Sequence, residues 1–123
     1  MQKTIFCDID GCILHHGIDY IQDSYNSEPK IIPGSKEKLF DWYCYGHNII
    51  LTTGRPEHER LKLEAFFSKN GIFYHQLIMN CGANARYLIN DRDPKILTNK
   101  AFSINLTRNV GLGNINLDKD GMS

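Results

Sequence analysis

Three short stretches hold most of the residues able to do chemistry. Asp8-Ile9-Asp10-Gly11 follows the apolar run Thr4–Cys7, Thr52-Thr53-Gly54-Arg55 closes the run Asn48–Thr53, and Asn90-Asp91-Arg92-Asp93 closes the run Tyr87–Asp91. Side chains alternate along extended backbone, so Asp8 and Asp10 are expected on one side with Ile9 turned to the core. In open α/β sheets ligands bind at the carboxyl ends of strands, where these polar groups fall. Three carboxylates meeting there (Asp8, Asp10 and Asp91) would repel one another unless a cation lay between them. Oxygen-only donors suit a hard ion, and magnesium keeps part of its water shell while bridging to a phosphate.

The elements that must position these groups are legible as alternating apolar runs and breakers. Strands are expected at Thr4–Cys7, Asn48–Thr53, Gln76–Met79, Tyr87–Asp91 and Ala101–Leu106. A helix is expected from Ser35, with Ser35 as its cap, Leu39, Trp42 and Tyr43 on its apolar face, and Gly46 as its stop. A second is expected from Glu57 to Asn70, started by Pro56 and ended by Gly71, with Leu61, Leu63, Phe66 and Phe67 facing inward. Residues 80–86 are too few for a helix and read as a loop. Strands separated by helices predict right-handed crossovers and a parallel sheet covered on both faces. The expected architecture is α/β: a Rossmann-like three-layer sandwich on a five-stranded parallel sheet, the fourth strand beside the first. Residues 1–108 form the core domain in this reading, and residues 109–123 a glycine-rich irregular tail that frays.

Composition narrows the function classes. The chain has 123 residues, the size of one domain, and is 41% hydrophobic and 23% charged, as soluble globular proteins are. Lys+Arg and Asp+Glu both total 14, which argues against a nucleic-acid partner. No apolar run approaches a membrane span, and Met1-Gln2-Lys3 leads straight into a strand, so neither membrane nor export is expected. Cys7, Cys12, Cys44 and Cys81 lack CxxC spacing and read as free thiols in a reducing cytoplasm. His15 and His16 are adjacent on extended chain, point opposite ways, and read as polar loop residues.

The three motifs, in this order and each at a strand end, resemble those of the haloacid dehalogenase superfamily of phosphatases. The resemblance rests on Asp8-Ile9-Asp10-Gly11, Leu51-Thr52-Thr53-Gly54-Arg55 and Leu88-Ile89-Asn90-Asp91, and spans about the first hundred residues. It implies a magnesium-dependent phosphomonoester hydrolase working through an aspartyl-phosphate. Asp8 would be the nucleophile, and Asp10 would protonate the leaving oxygen and then deprotonate water. Magnesium would rest on Asp8, the backbone carbonyl of Asp10, and Asp91. Thr53, or Thr52 after a register slip, would hold a phosphate oxygen, with backbone amides near Gly11 and Gly54 as further donors.

Two departures from the family pattern stand out. Cys12 occupies a position where Thr is common. The expected cationic side chain has no obvious Lys, and Arg86 is chosen over Lys69, Arg92 and Lys95 because it lies between the third and fourth strands. Read without their company, Asp91 to Pro94 would be an ordinary turn and Thr53 a strand residue, while Arg55 divides evenly between phosphate contact and surface ion pair. Neither Gly11 to Pro33 nor Arg55 to His75 has room for a cap domain, although the former could form a hairpin-like flap. A capless site is open or covered by a second subunit, and the neutral charge points to a small phosphorylated metabolite such as a sugar phosphate. The alternatives are a macromolecular substrate (a nucleic-acid end or a phosphoprotein) and a receiver-like phospho-acceptor domain.

Overall fold

Three of the five expected runs form strands: β1 (Thr4–Asp8), β2 (Asn48–Thr52) and β3 (Gln76–Ile78). The computed structural model describes residues 2–16 and 29–120. All pairings are parallel and the order is β1-β2-β3, with Asp8 opposite Thr52 and Thr52 opposite Ile78. β2 is central, and its Ile49, Ile50 and Leu51 are all buried, as the middle of a strand covered on both sides must be.

Two helices provide the crossovers, α1 (Ser35–Cys44) and α2 (Arg60–Asn70), the latter preceded by a 3₁₀ turn at Glu57–Glu59. Pro56 stands just before that turn and Gly71 ends α2 with φ of 70°, a conformation that favours glycine. Leu39, Trp42, Leu63, Phe66 and Phe67 pack with Ile9, Ile49 and Leu51 in one core. Complete burial of a side chain such as Phe67 contributes about 1.5–3 kcal/mol. Two expected core residues are outside it: Leu61 is 81% exposed, and Tyr43 packs at the surface against Phe73 and His75. Both lie at the margin of their helical stripe. Ser35 is not a cap either. Gly34 occupies the cap position, and the fully buried Ser35 hydroxyl donates to the Cys12 carbonyl and accepts from the Leu112 amide.

The expected fourth and fifth strands are not formed. Residues 82–106 are irregular, and Tyr87, Leu88, Ile89, Ile96, Leu97 and Phe102 are exposed. The connection leads elsewhere in this structure. β3 lies on the sheet edge away from β1, and a parallel strand beside β1 would have to start at its N-terminal end. Parallel crossovers take about a dozen residues or more, whereas residues 80–86 reach only Asp8, at the opposite end of β1, through Arg86.

The tail departs from expectation in the other direction. It is irregular up to a short final helix, α3 (Leu117–Asp120), but it is docked, with Leu112 and Ile115 buried in the core. Lys38 secures it further by donating to the Ile115 carbonyl. The flap expected within Gly11 to Pro33 falls largely outside the described residues. Its base pairs antiparallel, His15 donating to the Lys30 carbonyl and Ile32 to that of Ile13. No described helix is long and apolar enough to cross a membrane.

Candidate active site

The parallel register builds the site. Pairing of Asp8 with Thr52 ends β1 and β2 together, and beyond that point the Ile9 amide still donates to the Thr52 carbonyl. Ile9 is fully buried while Asp8 and Asp10 are half-buried on the other side, as alternation requires. Each carboxylate then receives one hydroxyl and one guanidinium. Asp8 Oδ1 accepts from the Thr52 hydroxyl and lies 3.5 Å from Arg86 Nε. Asp10 Oδ2 accepts from the Thr53 hydroxyl at 2.9 Å, and Arg55 grips both Asp10 oxygens through Nε at 3.2 Å and Oδ1 through Nη2 at 2.8 Å. The two threonines thus serve one acid each. Thr52 and Thr53 are both buried, which shields these bonds from water and strengthens them.

The loops behind this arrangement are fastened to each other. Gly54 packs so close to Gly82 that a β-carbon on it would lie 2.8 Å from the Gly82 carbonyl oxygen. Asn80 donates to the Arg55 carbonyl and Cys81 to that of Thr53, and Arg86 Nη2 donates to the Gly82 carbonyl. Stacking of loop 80–86 on loop 53–55 is what delivers Arg86 to Asp8. The other cations weighed for that place are not brought to the pair: Arg92 reaches Asn99, and Lys69 and Lys95 stand exposed. Arg55 also approaches Glu59 at 3.7 Å, one turn along the chain.

Cys12 lies beside the two acids. Burial pushes its thiol above the ordinary range, and the charges of Asp8 and Asp10 push it further. Cys7 is raised as well, through burial first, then Cys12 and Asp8. All four cysteines are free.

Asp91 is not with the pair. Its side chain is 83% exposed and meets Lys100 at 3.5 Å, and among the described residues no three acidic, His or Cys side chains gather as a metal-binding group. Of the expected set of Asp8, Asp10 and Asp91, the first two stand together at the end of β1 and the third lies apart. The carboxylates of Asp8 and Asp10, oxygen donors at one strand end, suit a hard cation and are a partial fit to the expected set.

Residues 107–112 form a part of the site's surroundings that the sequence did not announce. Asn109, with φ of 68°, donates from its backbone to the Gly11 carbonyl and exchanges two side-chain bonds with the backbone of His16. The side-chain stem of Arg108 covers Gly11, its Cγ 3.4 Å from where a β-carbon would stand. Asn109-Val110-Gly111-Leu112-Gly113 reads as loop, and only the fold shows what that loop touches. No family model matches the chain, and neither does any curated protein or solved structure.

Proposed function

We propose that this protein is a magnesium-dependent phosphomonoester hydrolase of the haloacid dehalogenase type, acting on a small phosphorylated metabolite. The observation that carries the reading is the matched pair at the end of β1, where each acid of Asp8-Ile9-Asp10 holds one hydroxyl and one guanidinium. Structural capping of a strand does not call for two buried hydroxyls and two arginines on adjacent carboxylates.

In the first step an Asp8 oxygen attacks phosphorus, the ester bond to the leaving oxygen breaks, and that oxygen takes a proton from Asp10. In the second, water attacks the aspartyl-phosphate, Asp10 takes its proton, and inorganic phosphate leaves with Asp8 restored. Splitting the displacement in this way replaces one hard step with two easier ones. Thr52 and Thr53 orient the two carboxylates, and Arg55 and Arg86 supply positive charge where the phosphate oxygens arrive. Magnesium, held by Asp8 and the Asp10 carbonyl with Asp91 recruited as a third ligand, would lessen repulsion between the anionic nucleophile and the anionic ester.

The receiver-domain alternative fares worse. Receiver-type sheets run 2-1-3-4-5 with the second strand at the edge, whereas β2 here is central and pairs with both β1 and β3. The order 3-2-1 is that of half a dinucleotide-binding sheet, whose crevice opens beside the first strand. A five-stranded sheet in this proposal requires residues 87–106 to reach that open edge.

The test is turnover of p-nitrophenyl phosphate with magnesium, alongside detection of phosphorylated protein by mass spectrometry. Asp8→Asn is expected to abolish both. Asp10→Asn is expected to slow turnover by about a hundred- to ten-thousand-fold while phosphoenzyme accumulates, because p-nitrophenolate leaves without help but water still needs a base. Wild-type turnover in Asp8→Asn would end the proposal.

A further inference from the structure

The phosphate-handling charges of the site are matched in pairs. Arg86 faces Asp8 and Arg55 faces Asp10, so the two acids and two guanidiniums there cancel. A third arginine borders the site loop. Arg108 is exposed and makes no ion pair among the described residues, although it is fastened against the site loop. Its stem lies over Gly11, next to His16, the other side chain bordering that glycine, whose Cβ is 3.9 Å from the same β-carbon position. Its neighbour Asn109 holds three bonds to Gly11 and His16, so this placement is fixed by the backbone on both sides. The tail that carries Arg108 is in turn anchored through Leu112 and Ser35.

We propose that Arg108 is a specificity residue, and that the preferred substrate is a phosphate monoester whose alcohol portion carries a second acidic group. The inference deepens the phosphohydrolase reading by naming the substrate class. Because Arg55 and Arg86 are already committed beside the transferring phosphate, Arg108 across Gly11 is placed for another part of the same molecule. A guanidinium with no acid of its own selects a carboxylate or phosphate through paired N–H donors. His16, exposed on the same border, adds a donor to that group.

The probes are 3-phosphoglycerate and glycerol 3-phosphate, which share a phosphate and differ chiefly by one carboxylate. Binding to the Asp8→Asn protein is measured by calorimetry, and turnover of both esters by the wild-type protein. Wild-type kcat/KM and Asp8→Asn affinity are both expected to favour 3-phosphoglycerate by about five- to tenfold, the worth of a partly exposed charged contact. Arg108→Gln keeps the stem over Gly11 and removes only the charge. It is expected to erase the preference through KM, leaving kcat and glycerol 3-phosphate unchanged, and Arg108→Lys is expected to restore part of it. Equal binding of the two esters without Arg108→Gln, a preference that survives it, or an equal loss on both esters would each overturn the proposal. If no ester is turned over but the binding preference and its loss in Arg108→Gln are seen, the subsite stands and the hydrolase reading falls.

Discussion

Residues 82–106 and residues 107–118 sit side by side in the chain and meet opposite fates. The first stretch is rich in large apolar side chains, yet Tyr87 and Ile89 are about nine-tenths exposed, at 89% and 90%. The second is glycine-rich and short of apolar residues, yet it buries Leu112 and Ile115 and ties itself to the site loop through Asn109. Apolar content does not by itself secure burial; a segment also needs a surface within reach. Leu112 and Ile115 are carried to the core by bonds to Ser35, Lys38 and Gly11. The segment after Arg86 starts at the wrong end of β1 and finds no ladder to join.

Stability should separate the two stretches most sharply. Leu112→Ala removes a buried side chain and is expected to cost about 2–5 kcal/mol, while Leu88→Ala at an exposed position should stay within about 0.5 kcal/mol. Urea unfolding of both variants is the check. Equal losses would mean that residues 87–91 are packed in solution.

Catalysis offers a second contrast, within residues 82–106, where Arg86 meets Asp8 and Asp91 stands apart. Arg86→Met removes the guanidinium beside Asp8 and is expected to lower kcat about a hundredfold, as loss of a preorganised charge does. Asp91→Asn, at the exposed end of the same segment, is expected to raise the magnesium concentration for half-maximal activity by about tenfold with no change in melting temperature. Magnesium titration of p-nitrophenyl phosphate turnover measures both. An unchanged magnesium requirement in Asp91→Asn would show that two donors suffice and that the exposed arrangement is the working one.

The smallest effect concerns Cys12. Its thiol and that of Cys7 are raised above the ordinary value of 9.0, so the folded protein keeps them protonated where the unfolded chain would ionise. Their contribution to stability is complete below that value and is lost as pH rises through the raised folded values. Asp10→Asn removes one of the charges raising Cys12. Alkylation of Cys12 by iodoacetamide at mildly alkaline pH, read by peptide mapping, should quicken by about two- to threefold. A rate that does not respond would mean that the thiol does not sense the acids.

Much of the molecule could be read from residue order. Alternation around Ile9 placed Asp8 and Asp10 on one side, the apolar run at Asn48–Thr53 marked a buried strand, and Gly71 marked the end of α2, because local sterics and periodicity act over a few neighbours. Other features depended on contacts between residues far apart in the chain. Pairing of Asp8 with Thr52, not the type of either residue, decided that each threonine serves its own acid. Stacking of Gly82 on Gly54 brought Arg86, out of four cations, to Asp8. The reach of residues 80–86 decided that Asp91 stays with Lys100, and a bonded loop rather than hydropathy brought the tail to Gly11. Propensity describes a residue and its near neighbours, whereas register, loop reach and close glycine contacts are properties of two segments at once, and they exist only once the chain has closed on itself.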